Sequence, residues 1–356
     1  MSMRVVHVAS GREWRGGQRQ VWLLARALAR QSDVAQVVVT GRGSELARRL
    51  EAAGVPTVAP TWSGALDARA LFATLRAADR RSILHAHDSH ALTLAGLASF
   101  VTSHALVATR RVDVPLRRTG FWHRADRIIA VSGAVEAALT ARGVPASKIA
   151  VVHDGIPVAE VAAIPPEDLR PRLGLAPGTP LVITTGALVG VKDHATLIRA
   201  ASIAAGRRPD LHWAIAGEGH LRASLEGLIA ELGLGGRVHL LGDVPDAARF
   251  VALADLFVMS SIREGLGTSV LEAMALGTPI VGTRAGGIAG LLEGGAGRLV
   301  PPREPAALAT AVLELLDDPT ARAALAARGR ETVRQYGDER MAEGVLRVYR
   351  SLTSDR

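Results

Sequence analysis

Cysteine is missing from this 356-residue chain. No disulfide framework or thiolate metal site can therefore form, which fits a reducing compartment. Aromatic residues make up 3%. That is too few for a base-stacking platform, and no nucleic-acid signature interleaves with the arginines, so nucleic acid is not expected as a partner. Lysine is nearly missing as well: Lys148 and Lys192 stand among arginines, which makes each worth accounting for. The most apolar long stretch, 92–109, is interrupted by Ser99, Thr102, Ser103 and His104 and fails as a membrane span. The first strand candidate, 5–8, begins almost at Met1 and leaves no room for a charged region plus an apolar signal, so a cytoplasmic location is the expectation.

What the chain does have is 48% hydrophobic residues, enough for two globular domains with substantial cores, and a net charge of +8. That charge suits phosphorylated ligands or an anionic membrane surface. Short β-branched runs alternate with helical periodicity, the pattern of parallel βαβ units. The first set of strand candidates is 5–8, 36–39, 56–59, 83–85, 106–109, 127–131 and 149–152; the second is 181–185, 211–216, 238–241, 256–260 and 279–281. Between the sets, 154–179 carries Pro157, Pro165, Pro166, Pro171 and Pro177 and reads as a linker. The expected architecture is α/β, with two Rossmann-like doubly wound domains facing a central cleft. Residues 305–352 read as helical, with Leu308, Ala311, Val312 and Leu315 on one apolar face.

The segment REGLGTSVLEAMALGTP from Arg263 sets Glu264 and Glu272 eight positions apart. Residues 256–260 read as a buried strand, 269–276 as a helix, and Gly277 as its end. Glu264 then lies in the loop at a strand's carboxyl end, where open α/β sheets bind ligands. Glu272 falls in the first helical turn, where Ser269 and Glu272 have the spacing of a capping box. A cap does not account for Glu264 or for the Gly265–Leu266–Gly267 turn. Backbone amides at a helix start suit phosphate oxygens, and carboxylates fork onto neighbouring sugar hydroxyls, so the set reads as a nucleotide-sugar clamp.

EGLGTSVLEAMALGTPIVGTRAGG from Glu264 resembles the E-x7-E motif of the GT-B-fold retaining glycosyltransferases of family 4. EWRGGQRQVWLLARAL from Glu13, ADRIIAVSGAV from Ala125 and GALVGVKDHATLIRA from Gly186 extend the resemblance over nearly the whole chain. It implies an amino-terminal acceptor domain, 1–153, and a donor domain, 154–337, with a terminal helix near 338–356 packing back on the first. It implies that Glu264 lies by the donor sugar, that the Gly265, Leu266, Gly267 and Thr268 amides meet sugar and phosphate, that Glu272 holds the ribose, and that Lys192 stabilises the leaving diphosphate. Gly16 and Gly17, preceding a helix with Val21, Leu24 and Leu28 as its core stripe, would contact the donor phosphate and the acceptor. Gly217, Glu218 and Gly219, with Gly242 to Val244, would form the nucleotide loops. The catalytic set is thus Glu264, Lys192 and Arg111. His87, Asp88, Arg110 and Arg111 would face the acceptor, with Asp88 as a candidate proton acceptor.

Two departures stand out. Ala187 occupies the place of the family's diphosphate arginine, so Arg110, Arg111, Arg263 or Arg284 would have to supply that charge. Arg111 stands where many relatives place a histidine; it either meets a phosphate or acidic acceptor or belongs to a solvated basic loop. In LHAHDSHAL, His85, His87, His90 and Asp88 match no common zinc spacing, and the resemblance implies metal-independent chemistry without a cofactor. The basic stretch Arg110, Arg111, Arg117, Arg118, Arg124 and Arg127, with Phe121 and Trp122, would meet a carbohydrate, lipid-linked or acidic acceptor, an anionic membrane at the inner face, or solvent. The expected reaction is retaining transfer of a sugar from a nucleoside-diphosphate sugar, such as a UDP-sugar, to an acceptor hydroxyl in bacterial envelope polysaccharide or lipopolysaccharide synthesis. A nucleotide-sugar epimerase of the same architecture and a non-catalytic sugar-nucleotide-binding protein are the alternatives.

Overall fold

The structure, a computed structural model, describes residues 3–102, 104–112 and 120–354; Arg117 and Arg118 lie outside the described residues. The chain divides into two compact units, Met1–Pro157 with Gly337–Arg356, and Val158–Tyr336.

In the first unit, β1 (Met3–Ala9), β2 (Val34–Thr40), β3 (Thr57–Val58), β4 (Ile83–Ala86), β5 (Ala105–Arg110), β6 (Arg127–Ala130) and β7 (Ile149–Val151) form a parallel sheet in the order β3-β2-β1-β4-β5-β6-β7. Helices α1 (Gly16–Leu28), α2 (Glu45–Ala52), α3 (Ala68–Ala77), α4 (Ser89–Val101) and α5 (Gly133–Thr140) connect the strands. The strands read as almost unbroken apolar runs because helices cover both faces of such a sheet. Val5, Val6 and Val8 are buried as this requires, and His7 among them is the polar exception. Val21, Leu24 and Leu28 of α1 are buried as their spacing predicts.

The second unit holds α6 (Val158–Ala162), β8 (Leu181–Thr185), α7 (His194–Ala205), β9 (His212–Ala216), α8 (Arg222–Glu231), β10 (Val238–Gly242), α9 (Ala248–Val251), β11 (Leu256–Met259), α10 (Thr268–Leu276), β12 (Ile280–Thr283), α11 (Gly287–Leu292), β13 (Arg298–Val300), α12 (Pro305–Asp317) and α13 (Pro319–Val333). Its parallel sheet runs β10-β9-β8-β11-β12-β13. The core gathers Val182, Ile215, Leu256 and Val258 from strands with Leu197, Leu308, Val312 and Leu315 from helices. The last helix, α14 (Asp338–Ser354), belongs to the first unit, where Met341, Val345, Leu346 and Tyr349 join Val5, Leu24 and Leu28 in one core.

Four expectations change. Strand β13 was not foreseen, because its short Arg298–Val300 run has an exposed first residue and no apolar alternation. The first unit extends past 153, since Gly155 exchanges two hydrogen bonds with the Gln20 side chain, 2.9 and 3.2 Å, and Ile156 bridges to Gly337. Most of the proline-rich stretch belongs to the second unit: the buried Arg170 binds Asp255 at 2.6 Å and the Thr179 carbonyl at 2.6 Å. Finally, α10 starts at Thr268 with Gly267 (φ +103) as its cap residue, so Ser269 is not a cap and Glu272 lies beyond the first turn.

Candidate functional site

In the second unit, the loops at the carboxyl ends of β8 and β11 meet. Ser260 Oγ donates to the Lys192 carbonyl at 2.9 Å, and the Ile262 amide donates to Val191 O at 2.9 Å. These bonds bring Lys192 to Glu264, and its ammonium is ion-paired with Glu264 Oε2. Both side chains are mostly buried, 17% and 19% exposed, so the pair is poorly screened by water. Ser261 Oγ also faces Glu264 Oε2 at 3.5 Å, and the buried Thr283 hydroxyl donates to Ser261 O at 2.5 Å.

The Glu264 backbone is held by two glycines, Gly286 and Gly287, whose role the sequence alone does not show. Gly287 N donates to Glu264 O at 2.9 Å, and Gly286 has φ +48. A side chain at Gly286 would place its Cβ 1.9 Å from Glu264 O, and one at Gly287 would lie 2.5 Å from Gly265 O. Only glycine permits this approach, which seats Glu264, Gly265 and Leu266 beside the start of α10. That helix begins without a side-chain cap, and its first amides have no partner within the helix. Glu272 is partly buried on its second turn.

The nucleotide-loop candidates form one packed turn. Gly217 (φ +153) lies so close to Gly186 that a Cβ would sit 2.0 Å from Gly186 O, and a Cβ at Gly219 would sit 2.4 Å from Leu188 O. Leu188 N donates to Glu218 O at 2.9 Å and Gly217 N to Gly242 O at 2.7 Å. The Glu218 side chain is 46% exposed, with Arg222 Nη1 donating to its Oε1 at 2.5 Å; Val244 is partly buried beyond this turn.

The first unit corrects several acceptor expectations. Gly16, exposed, and Gly17, half-buried, are the first residues of α1 rather than a preceding loop, and the helix has no side-chain cap. Arg110 is buried with its guanidinium over Trp122, 5.0 Å from the ring centroid. Arg111 is in no solvated loop: its Nε donates to the buried Asp154 Oδ1 at 3.0 Å, and its own side chain is partly buried. Burial pushes the Asp154 carboxyl above the usual range, against the pull of Arg111. Asp88 caps α4 and is bound by the Ser10 amide at 2.7 Å and hydroxyl at 2.5 Å, so its oxygens already have donors.

His90 is exposed, whereas His7, His85 and His87 form a buried cluster with ring nitrogens within 4.8 Å of one another, the one such group among the described residues. This replaces the His85, His87, His90 and Asp88 set as the grouping able to hold a metal. His7 Nδ1 and His87 Nε2 share a hydrogen bond of 3.0 Å, leaving His7 Nε2 and His87 Nδ1 buried without a hydrogen-bond partner among the described residues, whereas His85 binds Tyr349 Oη at 2.5 Å and Thr109 Oγ1 at 2.6 Å, so ligation by His85 would break a bond already made. Burial lowers the His7 pKa to about 4 and holds His85 and His87 well below the ordinary value, with neighbouring positive charge adding to the shift in the latter two.

Of the four arginines offered in place of Ala187, Arg110 and Arg111 are thus engaged in the first unit, and Arg284 faces Glu293 at 3.7 Å. Arg263 is exposed beside Glu264.

Two families match the chain: glycosyl transferases group 1 over residues 166–332 and glycosyltransferase family 4 over residues 14–160. The chain is 35% identical over 184 residues to the lipopolysaccharide core biosynthesis glycosyltransferase LpsE of Rhizobium meliloti, covering 51% of this chain and 53% of that protein. It is 32% identical over 247 residues to a D-inositol 3-phosphate glycosyltransferase of Pseudarthrobacter chlorophenolicus, covering 66% and 59%. The chain therefore spans little more than half the length of these curated relatives. The crystal structure of Anabaena HepE in complex with UDP-glucose superposes with a TM-score of 0.85 at 22% identity, covering 98% of this chain and 100% of that one. At that identity the likeness speaks for the fold.

Proposed function

Since the chain belongs to the group 1 glycosyltransferases and has their GT-B fold, we propose that it transfers a sugar from a nucleoside-diphosphate sugar to an acceptor hydroxyl, with retention at the anomeric carbon and without a metal. One observation carries this reading: Lys192 and Glu264, from separate strand-end loops, meet beside the uncapped start of α10.

Glu264 neutralises Lys192. An arriving diphosphate exchanges that carboxylate for phosphate oxygens, and the α10 amides add donors where charge develops as the glycosidic bond breaks. Such preorganised groups contribute a few kcal/mol to the step, about 2.7–4 for a single well-placed donor. Glu264 then turns to the sugar hydroxyls and Glu272 to the ribose. Arg263 supplies the charge missing at Ala187. The departing diphosphate accepts the acceptor's proton on the same face, so no protein nucleophile is required. UDP-sugars are the first donors to test, in keeping with the UDP-glucose bound to HepE. Envelope polysaccharide or lipopolysaccharide is the acceptor class, in keeping with LpsE.

No described helix is long and apolar enough to cross a membrane. Contact with an anionic membrane falls instead to Phe100 and Val101, exposed at the end of α4, with the Arg124 guanidinium 3.6 Å from the Phe100 ring centroid. Sedimentation with anionic rather than neutral vesicles checks this, and equal recovery with both removes it. The activity itself is tested by incubating UDP-, GDP- and ADP-sugars with acceptor glycans and reading the product's anomeric configuration by NMR. An inverted product, or conversion of donor with no acceptor present, contradicts the reading.

A further inference from the structure

Lys192 is carried by a loop that leaves β8 at Gly186 and enters α7 at His194. One buried side chain ties its two ends. His194, 3% exposed, reaches back to Ala187, with Nε2 3.3 Å from the carbonyl oxygen. A carbonyl can only accept, so Nε2 carries the proton. Between these ends the chain passes through a short 3-10 turn, Gly190–Lys192, and then through Asp193 at φ 47. A residue other than glycine holds that left-handed backbone when its surroundings over-determine it. Asp193 is fixed on the helix side, where its carboxylate accepts from Thr196 Oγ1 at 2.7 Å. His194 fixes the strand side. The Lys192 stem lies over Gly186, where a Cβ would sit 3.5 Å from the lysine Cε, and the ammonium continues to Glu264.

Burial, with a smaller contribution from the Lys192 charge, lowers the His194 pKa to about 4. The ring therefore stays neutral near pH 7 and adds no second positive charge beside the lysine.

We propose that His194 is a positioning residue for Lys192: by donating from Nε2 to the Ala187 carbonyl it holds the 186–193 loop in the shape that delivers the ammonium to Glu264. The consequence for nucleotide binding rests on the donor reading above; the placement of Lys192 does not.

Because the chain has two lysines, the test can watch Lys192 directly. Reductive 13C-methylation of the full chain gives dimethyl-lysine NMR signals for Lys148 and Lys192, besides the amino terminus, assigned with Lys148→Arg. His194→Leu removes the donor and keeps apolar bulk. His194→Asn keeps a polar group too short to reach Ala187, and His194→Gln restores an N–H near the position of Nε2. The Lys192 signal is expected to move toward that of a solvated lysine in the Leu and Asn variants and to stay in place in the Gln variant, with Lys148 unmoved throughout. UDP affinity falls about tenfold in the first two and is kept in the third, as misplacing a binding group by a fraction of an ångström would produce. An unmoved Lys192 signal in the Leu or Asn variant overturns the proposal. If the Leu variant does not fold, the Asn variant decides. Unfolding of both makes His194 a core residue and overturns it equally. Should UDP bind the wild type nowhere, the donor reading fails, while the Lys192 signal still judges His194.

Discussion

Lys192 and Glu264 lie 72 positions apart and meet as a partly buried pair. Lys192→Ala is expected to weaken diphosphate-nucleotide binding by about 1.5–3 kcal/mol, the worth of one charge-assisted contact, or roughly ten- to a hundredfold in Kd. Calorimetric titration with UDP checks it. A second residue-scale prediction concerns acid. His7 is fully buried, and its folded pKa of about 4 lies below the ordinary 6.5. The unfolded chain therefore binds more protons below pH 6.5, and stability present above that pH is lost as pH falls from 6.5 toward 4. His85 and His87 act in the same direction. Urea midpoints should stay level above pH 7 and drop steeply across that window; a flat profile would show that the cluster is not held neutral. Lys192 and Glu264 were legible in the sequence because one is a rare residue and the other sits in a motif. His194 and His7 were not, since their meaning lies in partners that only the fold supplies. Arg111 looked like part of a basic loop because its partner, Asp154, is distant in sequence, and nothing in the stretch itself shows that Arg110 stacks on the nearby Trp122.

Among the elements, glycines separate structural from functional roles. Gly286→Ala would force a Cβ against the Glu264 carbonyl at a positive φ. It should cost about 1–3 kcal/mol of stability and displace the Glu264 loop. Gly16→Ala and Gly17→Ala meet nothing within 4 Å and lie in the first turn of α1. They should leave the melting temperature unchanged or raise it, since alanine favours a helix by up to about 1 kcal/mol over glycine. If these glycines admit a ligand, activity falls all the same, and paired melting and turnover measurements tell the two apart. The twelve strand positions were legible because parallel strands covered on both faces stand out as apolar runs. The start of α10 was misread by one residue because Ser269 and Glu272 imitate a capping box, whereas the left-handed Gly267 ends the loop there. Such a backbone choice leaves no periodic trace.

At the scale of the molecule, the second unit is one continuous segment, Val158–Tyr336, with its own core. A fragment of those residues is expected to fold and to bind UDP, which circular dichroism and titration would check. Residues 1–157 without α14 should not fold alone, because Met341, Val345, Leu346 and Tyr349 complete their core. Two repeated βαβ series foretold two sheets, and the return of α14 to the first, which strand patterns do not encode, was implied by the family resemblance. In the proposed reaction Lys192, Glu264 and the start of α10 together hold an activated sugar. Equilibrium titration of the full chain with UDP-, GDP- and ADP-sugars, repeated with Lys192→Ala and Glu272→Ala, tests this most directly. Saturable binding of at least one donor, weakened tenfold or more by each substitution, is the predicted result; binding that neither substitution alters, or no binding of any donor, would contradict it.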